Sequence, residues 1–409
     1  MQSRRIAPIW LMGLSNSTFG FYGGFITFSL PQLLAEQHVP EARLAAITAA
    51  VASPGFYAFL LSPMLDVRFS RRWYATLFAA LAAIFLAVSI ANVTNVPLLE
   101  ACMLLGFLSV CLSTSALGGW LSTVTPKEEE NRLSSWYNVA NIGCGGLMAL
   151  VAAEIIHLLA PWLAACLLGG FIFLPTIIFL FIPAPGPDRR LAAESFREFF
   201  REVLSLLRRR QVLIALLLFG APASTFTLTN ILGGLGNDFH CSPHLISLLG
   251  GAGMAAAGFF GSLLFPILAK HLALRPLYLA IGAVGCLFTL SLVLFPHTPS
   301  TYAVGFIGEN VFQSLAFTGL FAISFETIGR DNPLAATTFS LLNASAMVPI
   351  VYMQVVDGRA YDAGGIAATF AVDAGIGIIA CLLLALLLGF LRRKPAQTAP
   401  VAELVKPLE

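Results

Sequence analysis

The chain of 409 residues is 58% hydrophobic and only 11% charged, with a mean hydropathy of +0.84. Soluble domains carry roughly 25% charged residues, so this composition excludes an ordinary soluble enzyme and indicates a chain that crosses a membrane many times. A formal net charge of +2 gives no electrostatic footprint for nucleic acid, and the placement of each Lys and Arg matters more than their sum.

In chain order, Arg4 and Arg5 precede an apolar run that is too long and too rich in glycine for a signal-peptide core, so the start reads as a retained first span. Twelve apolar runs are long enough to cross a hydrocarbon core, which takes roughly 20 helical residues. Six fall in the first half, at 6–34, 44–65, 73–93, 98–122, 133–157 and 162–182. Six more fall at 212–235, 244–268, 276–295, 301–325, 334–356 and 366–391. Of the seven Cys, only Cys241 lies outside such a run, which leaves no disulfide framework and no metal-binding pair.

With the N-terminus inside, all but Arg43 and Arg359 of the 23 Lys and Arg fall on the cytoplasmic side, which predicts that both termini are cytoplasmic. The five Trp (Trp10, Trp73, Trp120, Trp136, Trp162) lie near predicted span ends, where an amphipathic ring prefers the headgroup level. Residues 183–211 form a cytoplasmic linker that opens on PAPGPDRR. Phe196, Phe199, Phe200, Val203 and Leu207 then recur at helical spacing, as in an interfacial helix. The predicted organisation is an N-terminal six-helix bundle (1–182), the linker, a C-terminal six-helix bundle (212–391) and a cytoplasmic tail (392–409).

The two halves repeat each other. Gly55 to Arg72, GFYAFLLSPMLDVRFSRR, recurs without a gap as Gly258 to Arg275, GFFGSLLFPILAKHLALR. In both copies an apolar run ends near a Pro and meets basic residues, as a span does on reaching the cytoplasm. Such duplication suggests a transporter. Asp66 is a candidate gate, held by Arg71 or Arg72 or by the positive N-terminal end of the eleventh helix near Leu334.

No Walker loop, HExxH, zinc ligand set or nucleophile elbow is present, so neither ATP-driven pumping nor a cofactor is expected. The chemistry falls to polar groups at membrane depth, where a charge costs about 2.5 to 3.5 kcal/mol. Glu309 lies about 12 Å below the outer surface and shares a helix face with Gln313. It reads either as a proton-coupling acid or as a protonated structural group. Asn16, Thr18, Tyr22, Asn138, Asn141, Thr227, Asn230, Asn310, Gln313 and Asn343 are the candidate solute-binding residues. Glu100 and Glu154 lie near outer span ends, and Asp373 reads either as deep, if the last span starts at Ile366, or as interfacial.

The twelve spans, inside termini, central loop and repeated signature resemble the major facilitator superfamily. LLSPMLD (Leu60 to Asp66), Arg71-Arg72 and GGWLSTVTPKEEENR (Gly118 to Arg132) are similar to its muropeptide permease and acetyl-coenzyme A transporter branch, which includes siderophore importers. The resemblance implies an all-α membrane protein of two pseudo-symmetric six-helix bundles around a central cavity, lined by spans one, four, seven and ten. Glu309, Asn310, Asn16 and Asn230 would face the same water-filled space. A monomeric secondary transporter of a polar organic solute follows, in the inner membrane if bacterial, with proton-coupled import as the leading reading. An exporter of amphipathic compounds and a non-transporting scaffold are the alternatives. Thr114 and Gly118 stand where the branch carries acids, Val67 replaces its Arg, and Ala269 replaces Asp66 in the second copy.

Overall fold

The computed structural model describes residues 7–67, 69–184, 201, 204–223 and 226–393, and among them the regular elements are all helical. Nine helices of this set are long and apolar enough to cross a membrane. Their outer walls expose large apolar side chains such as Leu158 and Leu386, as expected where the surrounding solvent is lipid.

The other apolar runs are helices that break. The first run forms Ile9–Leu14, Ser17–Gly24 and Leu30–Glu36. At the first break Ser15 and Ser17 donate their hydroxyls to the carbonyls of Met12 and Leu14, three residues back, at 2.6 and 2.7 Å. Such local bonds offer the backbone an alternative to the helical ladder. The seventh run forms Arg210–Gly220 and Phe226–Ile231. Pro222 lies between them, and a proline has no N–H for the ladder. The last two runs are joined in one helical stretch, Ala335–Arg393, interrupted at Gly364 and Gly365. Gly365 has φ 65° and ψ −158°, a conformation nearly confined to glycine. Straight, a helix of this length would measure about 90 Å, so the interruption divides it into two segments of membrane length.

Three apolar clusters hold the helices. One, around Tyr22, Phe25, Met103 and Leu168, belongs to the first half, and another, around Phe239, Tyr302 and Phe370, belongs to the second. The largest contains Leu65, Trp120 and Tyr137 from the first half with Phe265, Phe325 and Phe339 from the second. Tyr137 meets Phe321, Phe325 and Phe339 at ring-centroid distances of 4.8, 5.7 and 6.0 Å. The halves therefore share a core at the end that carries Asp66 and Arg71.

Burial bears on two sequence expectations. Trp120 is fully buried and donates its indole N–H to the Pro183 carbonyl at 2.9 Å. A satisfied N–H lets the ring act as core, whereas Trp10, Trp73 and Trp162 are exposed. Of the two readings of Asp373, its burial supports the deep one. The expected linker helix falls largely outside the described residues, as does most of the tail.

Candidate functional site

Away from the shared core, a cavity of about 740 Å³ lies between the halves. The broken first run contributes Asn16, Phe19 and Gln32, the helix Val96–Val124 contributes Phe107 and Thr114, and Asn141 comes from the π-helical turn Val139–Gly143. Across from them stand Thr229, Asn237, Asn343 and, on Pro299–Ile328, Phe306, Asn310, Gln313, Phe317 and Phe321. The break after Leu14 leaves Asn16 1% exposed, with Nδ2 toward the Tyr137 carbonyl at 3.4 Å and Oδ1 without a partner among the described residues. Asn310 donates to the Phe306 carbonyl at 2.8 Å, and Gln313 donates to the Thr229 hydroxyl.

Five of the candidate solute-binding residues, Asn16, Asn141, Asn310, Gln313 and Asn343, thus line one cavity. Three do not. Thr18 donates to the Ile172 carbonyl at 2.9 Å and Tyr22 to the Met103 carbonyl at 3.3 Å, both within the first half. Asn138 ties the halves together, donating to Ser262 Oγ and to the Ser314 carbonyl, each at 2.9 Å. The side chains of Thr227 and Asn230 lie outside what is described. Gln32, Thr114 and Asn237, not singled out as binders from sequence, do line the cavity. Their polarity at an apolar wall is the signal that could have found them.

Glu309 does not line the cavity as expected. It is fully buried and accepts a hydrogen bond from Thr289 on the helix Leu274–Leu292. The reason is angular: at about 100° per residue, the cavity face set by Phe306, Asn310, Gln313, Phe317 and Phe321 is centred about 80° from Glu309. Asp357 and Asp373 are also buried, and Asp373 is near enough to both Asp357 and Glu309 for their charges to interact. Both carboxyl oxygens of Asp357 lack a hydrogen-bond partner among the described residues.

At the closed end, Asp66 is 2% exposed. It accepts from Arg71 Nε at 2.8 Å, from the backbone N–H groups of Ala336 and Thr337 at 3.1 and 2.9 Å, and from the Thr337 hydroxyl at 2.7 Å. Ala336 and Thr337 are in the first turn of Ala335–Arg393, where free N–H groups and the helix dipole favour an anion. Arg71 also donates to the Pro333 carbonyl at 2.8 Å. Arg330 donates to the Thr125 carbonyl at 3.1 Å, a further bond between the halves. Arg71, not Arg72, is the partner of Asp66; the side chain of Arg72 is half-buried and bonds to none of the described residues.

Many apolar spanning helices, two halves and one cavity between them define a polytopic membrane transporter. A model of the Major Facilitator Superfamily matches residues 9–232, more than half of the chain, and the chain belongs to that superfamily, as a transporter and not an enzyme. No curated protein matches it significantly in sequence. The fold is similar to that of the human organic anion transporter MFSD10 (TETRAN), at 17% identity and TM-score 0.68, over 94% of this chain and 100% of that one. It is also similar to the proton:xylose symporter XylE, at 14% identity and TM-score 0.66, over 92% and 95%. The nucleoside transporter NupG follows at 14% identity and TM-score 0.58, over 92% and 98%.

Proposed function

We propose that the chain is a secondary active transporter that carries a polar organic solute through the central cavity by alternating access. The observation that carries this reading is the cavity itself, sealed at one end by Asp66 and Arg71 against residues 332–337. Counting the two broken runs as spans, and dividing the last stretch at Gly364 and Gly365, gives twelve. On this reading 1–182 and 212–391 are the two bundles, 183–211 links them, and both termini and the tail 392–409 are cytoplasmic. The protein works as a monomer, in the inner membrane if bacterial.

Glu309 is proposed as the proton-coupling carboxyl. Burial at membrane depth and its place beside Asn310 support the role. It would act through the wall of the cavity rather than inside it, by changing how Pro299–Ile328 packs on Leu274–Leu292. Import of a muropeptide-, siderophore- or nucleotide-conjugate-like solute rests on the branch resemblance alone. Export of amphipathic compounds is favoured by the phenylalanines on both walls, Phe19, Phe107, Phe306 and Phe317. The test is a solute panel screened by thermal shift on purified protein, because a ligand that binds only the folded state raises its apparent stability. Hits are then followed in proteoliposomes with a pH gradient of either direction. Movement of a binding solute only down its own gradient would refute coupling.

A further inference from the structure

The cavity is polar without being charged. Among its described lining residues there is no Asp, Glu, Lys, Arg or His, and the stretch 224–230, STFTLTN, has none in its sequence. Of the ionisable groups next to lining residues in the chain, Glu309 accepts from Thr289, Asp238 accepts from Tyr361 and His244 is exposed, while Asp66 and Arg71 neutralise each other at the closed end. An ion binding here would give up water without meeting a counter-charge on the described lining, which disfavours it in a low-dielectric site.

Neutral partners are plentiful. Asn16 lines the cavity, and its buried carbonyl oxygen has no hydrogen-bond partner among the described residues. Asn141 and Asn343 line opposite walls, and their amides make no hydrogen bond to the described residues. A carboxamide both donates and accepts, so it matches a hydroxyl or another amide. Beside these groups lie ring faces: Phe19 and Phe107 at a centroid distance of 6.1 Å on one wall, with Phe317 and Phe321 on the other. A volume of about 740 Å³ suits an organic molecule of ordinary ligand size.

We propose that the transported solute is a neutral organic molecule, with hydroxyl or amide groups set against an apolar or planar face, and not an ion. The inference rests on the reading that this cavity is the solute site. It sets aside phosphate- and carboxylate-bearing solutes, including nucleotide conjugates.

The experiment reads the selectivity of the cavity directly. Asn343→Cys and Asn141→Cys, in the full chain, are reacted with three methanethiosulfonates of similar size: the neutral 2-hydroxyethyl, the anionic 2-sulfonatoethyl and the cationic 2-trimethylammonioethyl reagents. The rate of the unsubstituted protein is subtracted, and the exposed position His244→Cys supplies the reference ratios. At both cavity sites each ion is expected to lag the neutral reagent by on the order of tenfold or more beyond its ratio at His244→Cys. An anion or cation that keeps pace with the neutral reagent overturns the proposal. If no reagent reacts at either site while His244→Cys does, solutes do not reach the cavity, and the assignment of the solute site fails first.

Discussion

At the scale of single residues, Glu309 and Asp66 are both buried acids with contrasting surroundings. Glu309 accepts from a neutral donor, Thr289, and has another buried acid, Asp373, nearby. Glu309→Gln keeps an acceptor for Thr289 but cannot exchange a proton. Accumulation driven by a pH gradient should be lost in proteoliposomes while solute-for-solute exchange persists. Glu100→Gln, whose carboxylate lies 4.0 Å from exposed Arg43, should change neither, since exposed pairs contribute about 0 to 1 kcal/mol. Undiminished accumulation by Glu309→Gln would make that carboxyl structural. Asp66 is instead the acceptor of four hydrogen bonds. Asp66→Asn leaves the buried Arg71 cation without its carboxylate, and breaking a buried pair costs about 3 to 5 kcal/mol. The part of this cost that falls only on the closed arrangement should lower transport severalfold, measured as uptake per amount of folded protein. Uptake equal to the parent would sink the gate. Asp66 stands out in the sequence because the repeat isolates it, and two of the contacts expected for it, Arg71 and the first turn of the eleventh helix, are both present. The direction of Glu309 was not legible, because residues four apart on a helix still diverge by about 40°, enough to place Gln313 in the cavity and Glu309 beside it.

At the scale of elements, the sequence located every apolar run but not the breaks within them. Ser15, Ser17 and Pro222 stand in the text of the chain, yet a hydropathy window averages over a turn of altered backbone, and serine in a span is as often a packing residue. Asn16, at the centre of one break, owes its free carbonyl to that geometry. Two glycines show where helices from opposite halves touch. A Cβ on Gly119 would lie 2.4 Å from the Ala336 nitrogen, at the end closed by Asp66, and one on Gly146 would lie 2.8 Å from the Gly251 oxygen. Both distances are sub-contact, and over-packing of this kind costs about 1 to 3 kcal/mol. The extra methyl should therefore act as a wedge. Gly119→Ala should speed reaction of Asn343→Cys with an impermeant thiol reagent from the Asp66 side, and Gly146→Ala should speed it from the opposite side. Equal rates in both wedge variants and the parent would mean that the halves do not part at these contacts.

At the scale of the whole molecule, the composition foretold a multi-pass membrane protein, and the shared core at one end with separate cores at the other fits two halves that rock about a contact. Orientation in the membrane rests on charge alone. Arg71, Arg72, Lys127, Arg132, Arg275 and Arg330 occupy connections on the same side of the spans, the side that positive residues mark as cytoplasmic. Cys241, a natural thiol in the connection that the charge pattern predicts to be outer, is a poor reporter, because it is only 8% exposed and packs in an apolar cluster; spacing alone could not reveal that burial. Exposed neighbours serve instead. In intact cells a membrane-impermeant maleimide should label His244→Cys and leave Glu128→Cys untouched, and permeabilisation should then expose Glu128→Cys. Both positions are exposed, so a failure to label reports the membrane and not the fold. Labelling of the two from the same side would require an even number of spans between them, where the twelve-span arrangement with cytoplasmic termini has three, and would refute it.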